Sequence, residues 1–170
     1  MDLVLFSIAA AVALFSTVMV ITRLNAVHAL LYLIVSLLAA GFVFYLMGAY
    51  FAAVLEVIVY AGAIMVLFVF VIMMLNLGKA TIEQERAWLR PGMWIGPGLL
   101  SLTLMAELIV MFTQSGSVAT GHVVQAKSVG ILLYGPYLLA VELASMLLLA
   151  GLVGAYHLAR PPAQVDKRQS

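Results

Sequence analysis

The chain has 170 residues, of which 66% are hydrophobic and 9% charged, with a formal net charge of +1 and no cysteine. Soluble domains are about 45–50% apolar and about 25% charged, so this composition excludes a soluble enzyme, a basic nucleic-acid binder and a disordered tail. The lack of cysteine excludes disulfides, thiolate metal sites, cysteine-ligated iron–sulfur clusters and a cysteine nucleophile in this chain. The composition therefore predicts a polytopic membrane protein.

Five apolar stretches are long enough to cross a bilayer, which requires roughly 20 mostly apolar residues. Because these stretches are continuous and do not alternate, they predict helices and not barrel strands. We expect an all-α protein, with a single domain of five transmembrane helices over residues 1–160 and a tail over residues 161–170. The predicted spans are approximately residues 3–22, 27–47, 50–77, 93–113 and 137–158.

The segments between the spans predict how the helices connect. Asn25 is a suitable N-cap for the second span, and Gly48 with Ala49 predicts a tight hairpin between the second and third spans. The polar stretch after the third span predicts a short surface helix over residues 81–89. Residues 114–136 contain four glycines and predict a loop.

The positively charged residues predict the orientation of the chain. Seven of the eight lie after the first or third span or in the tail, and only Lys127 lies on the opposite side. Since cytoplasmic loops are enriched in Lys and Arg, we expect the N-terminus outside, in the periplasm, and the C-terminus in the cytoplasm. The seven are Arg23, Lys79, Arg86, Arg90, Arg160, Lys167 and Arg168.

Three carboxylates fall within the predicted spans, namely Glu56, Glu107 and Glu142. A charged side chain at the centre of a membrane helix costs about 2.5–3.5 kcal/mol on translocon-insertion scales, so such a residue faces protein or water and often marks an ion path. A protonated glutamate can instead hydrogen-bond a neighbouring helix. Both roles stay open for Glu56, and for Glu107 and Glu142 as possible secondary polar sites.

The third span combines an acid, a tyrosine and a glycine at short spacing. Glu56 and Tyr60 are four residues apart and therefore lie on one helix face. Gly62 lies in the middle of the span, where glycine costs about 1 kcal/mol relative to alanine. It marks either a close helix crossing or a bulged turn, and π-bulges are frequent at functional positions.

The fifth span predicts that the chain is part of a larger assembly. One face carries Glu142 with Leu138 and Met146, and the opposite face carries Ala144 and Gly151 at close-packing spacing. Five helices with short connections cannot surround one of their own members on both faces.

No motif for a cofactor or a catalytic centre occurs in the sequence. No two histidines on one helix have metal-ligand spacing, and the chain lacks a glycine-rich phosphate loop, a flavin or haem motif and a nucleophile triad. His28, at the start of the second span, is expected near water. We expect this chain to bind no metal or cofactor and to contain no catalytic residue.

Four stretches carry a resemblance to a known family, most specifically in the third span. They are residues 25–32, 50–76, 82–86 and 135–151. They resemble the subunit J family of bacterial NADH:quinone oxidoreductase, respiratory complex I, whose mitochondrial counterpart is subunit 6 of NADH dehydrogenase. The resemblance extends over nearly the whole chain to about residue 160.

The resemblance implies a membrane-arm subunit of a proton-pumping translocase in the bacterial inner membrane, with no redox centre of its own. It implies FMN, iron–sulfur clusters and quinone on other subunits of the complex. The implied partners are subunits similar to H, K, A and N together with membrane lipid, and no nucleic acid, so that the chain is an obligate hetero-oligomer.

The resemblance also assigns roles to residues of the third span. In the family this helix carries an acid that matches Glu56, and it can form a π-bulge near the pair that matches Tyr60 and Gly62. Conversion of the bulge to a regular α-helix is associated with a water path from the quinone cavity to the central proton channel. The implied proton path includes Glu56 and Tyr60, and the implied hinge includes Tyr60 and Gly62.

Two other functions fit the same residues. The chain could be a component of a multisubunit cation/proton antiporter that uses the same acids. It could also be a passive structural scaffold whose polar groups only hydrogen-bond neighbouring helices.

Overall fold

The computed structural model describes residues 2–75, 92, 94–113 and 123–159, and within them the regular structure is helical, without a strand. We refer to the π-helical stretch Glu56–Ile64 as the π-segment. The α-helices are α1 (Asp2–Thr22), α2 (Ala26–Leu46), α3 (Tyr50–Leu55), α4 (Met65–Leu75), α5 (Ile95–Thr113), α6 (Ala126–Leu133) and α7 (Leu138–Ala159).

Among the described residues, five helices are long and apolar enough to cross a membrane. Four of them are α1, α2, α5 and α7, and the fifth is the continuous span Tyr50–Met74, which contains the π-segment. The prediction of an all-α protein with five spans is confirmed for the residues described here. The predicted surface helix at 81–89 and the predicted tail at 161–170 lie outside them.

The chain divides into two units, residues 1–125 and residues 126–170. The single domain over residues 1–160 stays a prediction. The predicted loop over residues 114–136 is wrong for Ala126–Leu133, which forms α6. Gly130 lies inside that helix, and one glycine in a helix interior costs only about 1 kcal/mol.

Helices α1 and α2 pack extensively in the first unit. The hydroxyl oxygens of Thr17 and Ser36 lie 2.8 Å apart, and the Ser36 hydroxyl donates to the carbonyl of Ala13 at 3.1 Å. Hydrogen bonds between membrane helices contribute about 0.6 kcal/mol on average. The buried core beside this pair consists of Val12, Val35 and Ala39, against which Ala13, Leu100 and Leu104 pack.

Both predicted helix connections in the first unit are confirmed. The Asn25 side chain accepts hydrogen bonds from the amides of Val27 and His28 at 2.9 and 3.4 Å, and so caps α2. Gly48 lies between α2 and α3 with a φ of 80°, a conformation that favours glycine. The Gly48 carbonyl accepts a hydrogen bond from the amide of Val124 at 3.1 Å.

Helix α5 begins beside the start of α2. Gly96, in the first turn of α5, lies against the side chain of Tyr32, in the second turn of α2. A Cβ at residue 96 would overlap the Tyr32 hydroxyl, so any other residue at this position would displace the Tyr32 side chain. The two helices therefore run in the same direction, and further along α5 Leu104 reaches the core that contains Ala39.

Candidate functional site

The π-segment widens the third membrane span in its middle. The Met65 amide donates to the carbonyl of Tyr60, five residues earlier, and to that of Gly62. At the other end, the Glu56 amide donates to the carbonyl of Ala52, four residues earlier, as in an α-helix. The segment is nine residues long, whereas π geometry usually occurs as a single widened turn.

Two features of the π-segment are compatible with its departure from α geometry. A Cβ added at Gly62 would lie 3.1 Å from the carbonyl oxygen of Val57, which is a tight contact that glycine avoids. Val57, Ile58 and Val59 are consecutive β-branched residues. Such residues lose χ1 freedom in an α-helix and favour it less than unbranched residues do.

Glu56 lies where the third span crosses α2. A Cβ added at Gly41 of α2 would lie 3.3 Å from Val57 Cγ2, 3.5 Å from the Ala53 carbonyl oxygen and 3.7 Å from Glu56 Cβ. Glu56 is half-buried at this crossing. Tyr60, one turn further along, is 51% exposed on the surface of this chain. The structure therefore places Glu56 beside α2 and leaves Tyr60 accessible to a neighbouring molecule.

An apolar cavity of about 540 Å³ adjoins the π-segment, between α2, the third span and α5. Two of its lining residues, Val57 and Ile58, belong to the π-segment itself. Side chains of the π-segment therefore have space into which they can move. The remaining lining residues are Leu38, Gly41, Phe42, Tyr45, Ala53, Val54, Ser101, Leu104, Met105, Leu108, Met111 and Phe112.

The other two membrane acids lie on other helices. Glu107, on α5, is only 4% exposed, and neither of its carboxylate oxygens has a hydrogen-bond partner. Glu142 is exposed on α7 of the second unit, where its backbone carbonyl accepts the Ser145 hydroxyl at 2.7 Å. Among the described residues, no three His, Asp or Glu side chains are grouped as metal ligands would be.

The expectation that His28 lies near water is wrong. It is 8% exposed, and its ring meets the ring of Tyr32 edge-on, with centroids 6.1 Å apart. The Arg23 guanidinium lies 5.5 Å from the Tyr32 ring centroid. The four-residue spacing of His28 and Tyr32 places both rings on one helix face, and this signal could have predicted the contact.

A family model described as NADH-ubiquinone/plastoquinone oxidoreductase chain 6 matches residues 16–158. The chain belongs to this family. A similar protein is NADH-quinone oxidoreductase subunit J of Pseudomonas aeruginosa, 63% identical over 161 residues that cover 94% of this chain and 97% of that protein. The subunit J of Escherichia coli is 58% identical over 156 residues, 91% of this chain and 85% of that protein. That of Buchnera aphidicola subspecies Acyrthosiphon pisum is 46% identical over 165 residues, 96% of each chain.

The predicted resemblance is thereby confirmed, and so is the predicted function at the level of a subunit of this enzyme complex. The chain is a membrane-arm subunit of an NADH-quinone oxidoreductase, and the enzyme is the complex to which it belongs. Its partners are other subunits of that complex. With five apolar helices of sufficient length, it is a multi-pass membrane protein.

Proposed function

We propose that this chain couples quinone reduction on neighbouring subunits to proton translocation by changing the register of its third membrane span. The observation that carries the proposal is the π-segment, which lies between α3 and α4 within one span. An amide in a helix can exchange an acceptor five residues back for one four residues back without breaking the span. The π-segment is thus an element with two discrete arrangements, as a switch requires.

Conversion of the π-segment to an α-helix would rotate α4 relative to α3. An α-helix has 3.6 residues per turn, so each residue taken up into regular geometry turns the following helix by about 100°. Met65, the first residue of α4, is 1% exposed and would turn out of its packed position. The adjoining apolar cavity gives Val57 and Ile58 room to rearrange at the same time.

Within this mechanism three residues have separate roles. Glu56 accepts and passes a proton, and its half-buried position at the crossing with α2 supports this role. Tyr60 orders a file of water, for which its exposed side chain is suited. Gly62 is the hinge, because it avoids the tight contact with the Val57 carbonyl. Glu107 and Glu142 are possible secondary polar sites.

We also propose that the chain lies in the bacterial inner membrane, with its N-terminus in the periplasm and its C-terminus in the cytoplasm. The distribution of Lys and Arg along the sequence supports this orientation. The direct partners in this proposal are subunits similar to H, K, A and N. FMN, iron–sulfur clusters and quinone are bound by other subunits, which agrees with the lack of cysteine in this chain.

The proposal is tested with Glu56→Gln and Gly62→Leu in the assembled complex. Proton pumping and NADH:quinone turnover are measured on the same membranes, and co-purification checks assembly. We expect fewer protons pumped per NADH in both variants, because the first removes the acid and the second places a side chain against the Val57 carbonyl. Gly98→Leu is the matched control, since a Cβ at Gly98 meets nothing within 4 Å.

Two outcomes would favour the other functions. Normal turnover with normal pumping in both variants would favour the passive structural scaffold. Cation exchange driven by a pH gradient in liposomes that contain the purified chain alone would identify an antiporter component.

A further inference from the structure

Buried polar atoms without a partner also lie inside the first unit, on helices other than the third span. Among the described residues of that unit, three buried side chains have polar atoms without a hydrogen-bond partner: Ser16 at Oγ, His28 at Nε2, and Glu107 at both carboxylate oxygens. They belong to α1, α2 and α5 in that order. Buried polar atoms of side chains are nearly always hydrogen-bonded, so each exception requires a physical explanation such as a bound water.

Glu107 lies on the face of α5 that packs into this interior. Its spacing from Leu104 and Met111 places all three on one side of the helix, and Leu104 packs against the core. Gly96 of α5 lies against Tyr32 of α2, and Glu107 follows Gly96 by about three turns. Glu107 therefore lies at a height about three turns beyond Tyr32, well inside the membrane span.

Ser16 belongs to the same interior. It is one helical turn beyond Val12, a member of the core, and its side chain is fully buried. The Ser36 hydroxyl of α2, which donates to Ala13, is already hydrogen-bonded also to Thr17. The Ser16 hydroxyl thus remains without a side-chain partner among α1 and α2.

No other subunit can supply the partner of Glu107, because the side chain is already covered by this chain. No Lys or Arg lies within α1, α2 or α5, and the titratable side chains of α2 are His28, Tyr32 and Tyr45. In height, His28 is about four turns and Tyr32 about three turns from Glu107, whereas Tyr45 lies near its level. No side chain of the described residues, Tyr45 included, hydrogen-bonds either carboxylate oxygen of Glu107. An ionised carboxylate without a cation or a donor is among the most costly groups to bury.

We propose that the interior between α1, α2 and α5 binds water, and that Glu107 is the proton-binding group of this hydrated site. A buried water makes about three hydrogen bonds, here to a Glu107 oxygen and to the second lone pairs of nearby helix carbonyls. The Ser16 hydroxyl offers a further position for water in the same interior. The polar atoms of this site belong to α1, α2 and α5 and to no residue of the π-segment.

Release of the proton would have a mechanical consequence. It would leave a carboxylate among apolar neighbours such as Leu104, and the charge would draw in more water or separate α5 from α1 and α2. The protonated form of Glu107 therefore keeps α5 packed on the other two helices.

Infrared spectroscopy of the assembled complex in membranes tests this proposal. The spectrum of each variant is subtracted from that of the native complex, and the spectra in H₂O are compared with those in D₂O. We expect the carbonyl band of a protonated carboxylic acid in the native complex and in Glu56→Gln, and the loss of one such band in Glu107→Gln. The band should shift when H₂O is replaced by D₂O, because water in the site exchanges the proton. Glu107→Asp, which keeps the acid, should move the band without removing it. This variant provides the test if the complex with Glu107→Gln fails to assemble.

Two outcomes would overturn the proposal. One is the same set of carboxylic-acid bands in the native complex and in Glu107→Gln. The other is a Glu107 band that does not shift in D₂O, which would show a dry site. Either result leaves the pumping measurements on Gly62→Leu unaffected, so failure of this site and failure of the switch can be distinguished.

Discussion

Replacing Gly62 by alanine is expected to shift the third membrane span from its π-helical form toward an α-helix. Alanine is favoured over glycine in an α-helix by about 1 kcal/mol. In the π-segment the new Cβ would lie 3.1 Å from the Val57 carbonyl oxygen, so the backbone must move by a few tenths of an ångström. The cost of this movement offsets the stabilisation that alanine would otherwise give the π-helical form. The α-helical form therefore gains up to about 1 kcal/mol relative to the π-helical form, which is about fivefold in the equilibrium constant.

Electron cryomicroscopy of the assembled complex can measure this ratio directly. Particles are sorted by the direction of the Met65 side chain, which is buried when the π-segment is present and rotates with α4 when it is converted. We expect the ratio of α-helical to π-helical particles to rise in Gly62→Ala, by up to about fivefold. Proton pumping measured on the same preparation should fall while NADH oxidation continues.

Gly98→Ala is the control for this experiment. It makes the same substitution on α5 at a position where a Cβ meets nothing within 4 Å, so it should leave the ratio unchanged. An unchanged ratio in Gly62→Ala would refute the reasoning. An equal increase in Gly98→Ala would also refute it, since the effect would then not depend on the contact with Val57.

Two further predictions concern packing in the first unit. Gly96→Ala would force the buried Tyr32 side chain to move, and overpacking of this kind costs about 1–3 kcal/mol. The temperature at which the complex dissociates should fall, and an equal fall in Gly98→Ala would contradict the assignment. Thr17→Val removes the hydrogen bond to Ser36 and should cost about 0.6 kcal/mol. Denaturant-induced dissociation of this subunit from the assembled complex in detergent measures this loss, and a cost well above 2 kcal/mol would show that the pair has another role.

The number of spans and their approximate bounds could be predicted from the sequence because the bilayer restricts which backbone structures can cross it. A long apolar run must satisfy its backbone hydrogen bonds internally, and a helix does so. The two connections followed from local chemistry, since Asn25 has the side chain of an N-cap and Gly48 tolerates a positive φ. Helix α6 was missed because glycine content alone does not distinguish a loop from a short helix that contains Gly130.

The site was less accessible to sequence reasoning. The acid at Glu56 and the glycine at Gly62 were visible, but the nine-residue length of the π-segment was not. The α- and π-helical forms use the same residues and differ only in which carbonyl each amide contacts, so composition carries little signal. The burial of His28 and Glu107 depends on which helix covers which face, and apolar runs this continuous do not show that.

The π-segment also bears on how members of this family should be aligned. A π turn is an α turn with a residue inserted, so a relative that lacked one residue between positions 56 and 64 could form a regular helix with α4 still facing as it does here. Such a protein would differ from this one by a single gap, with every remaining side chain unchanged. Its helix would nevertheless be locked. The length of this stretch, and not only its chemistry, therefore decides whether the span can switch, and gaps in an alignment there carry functional information.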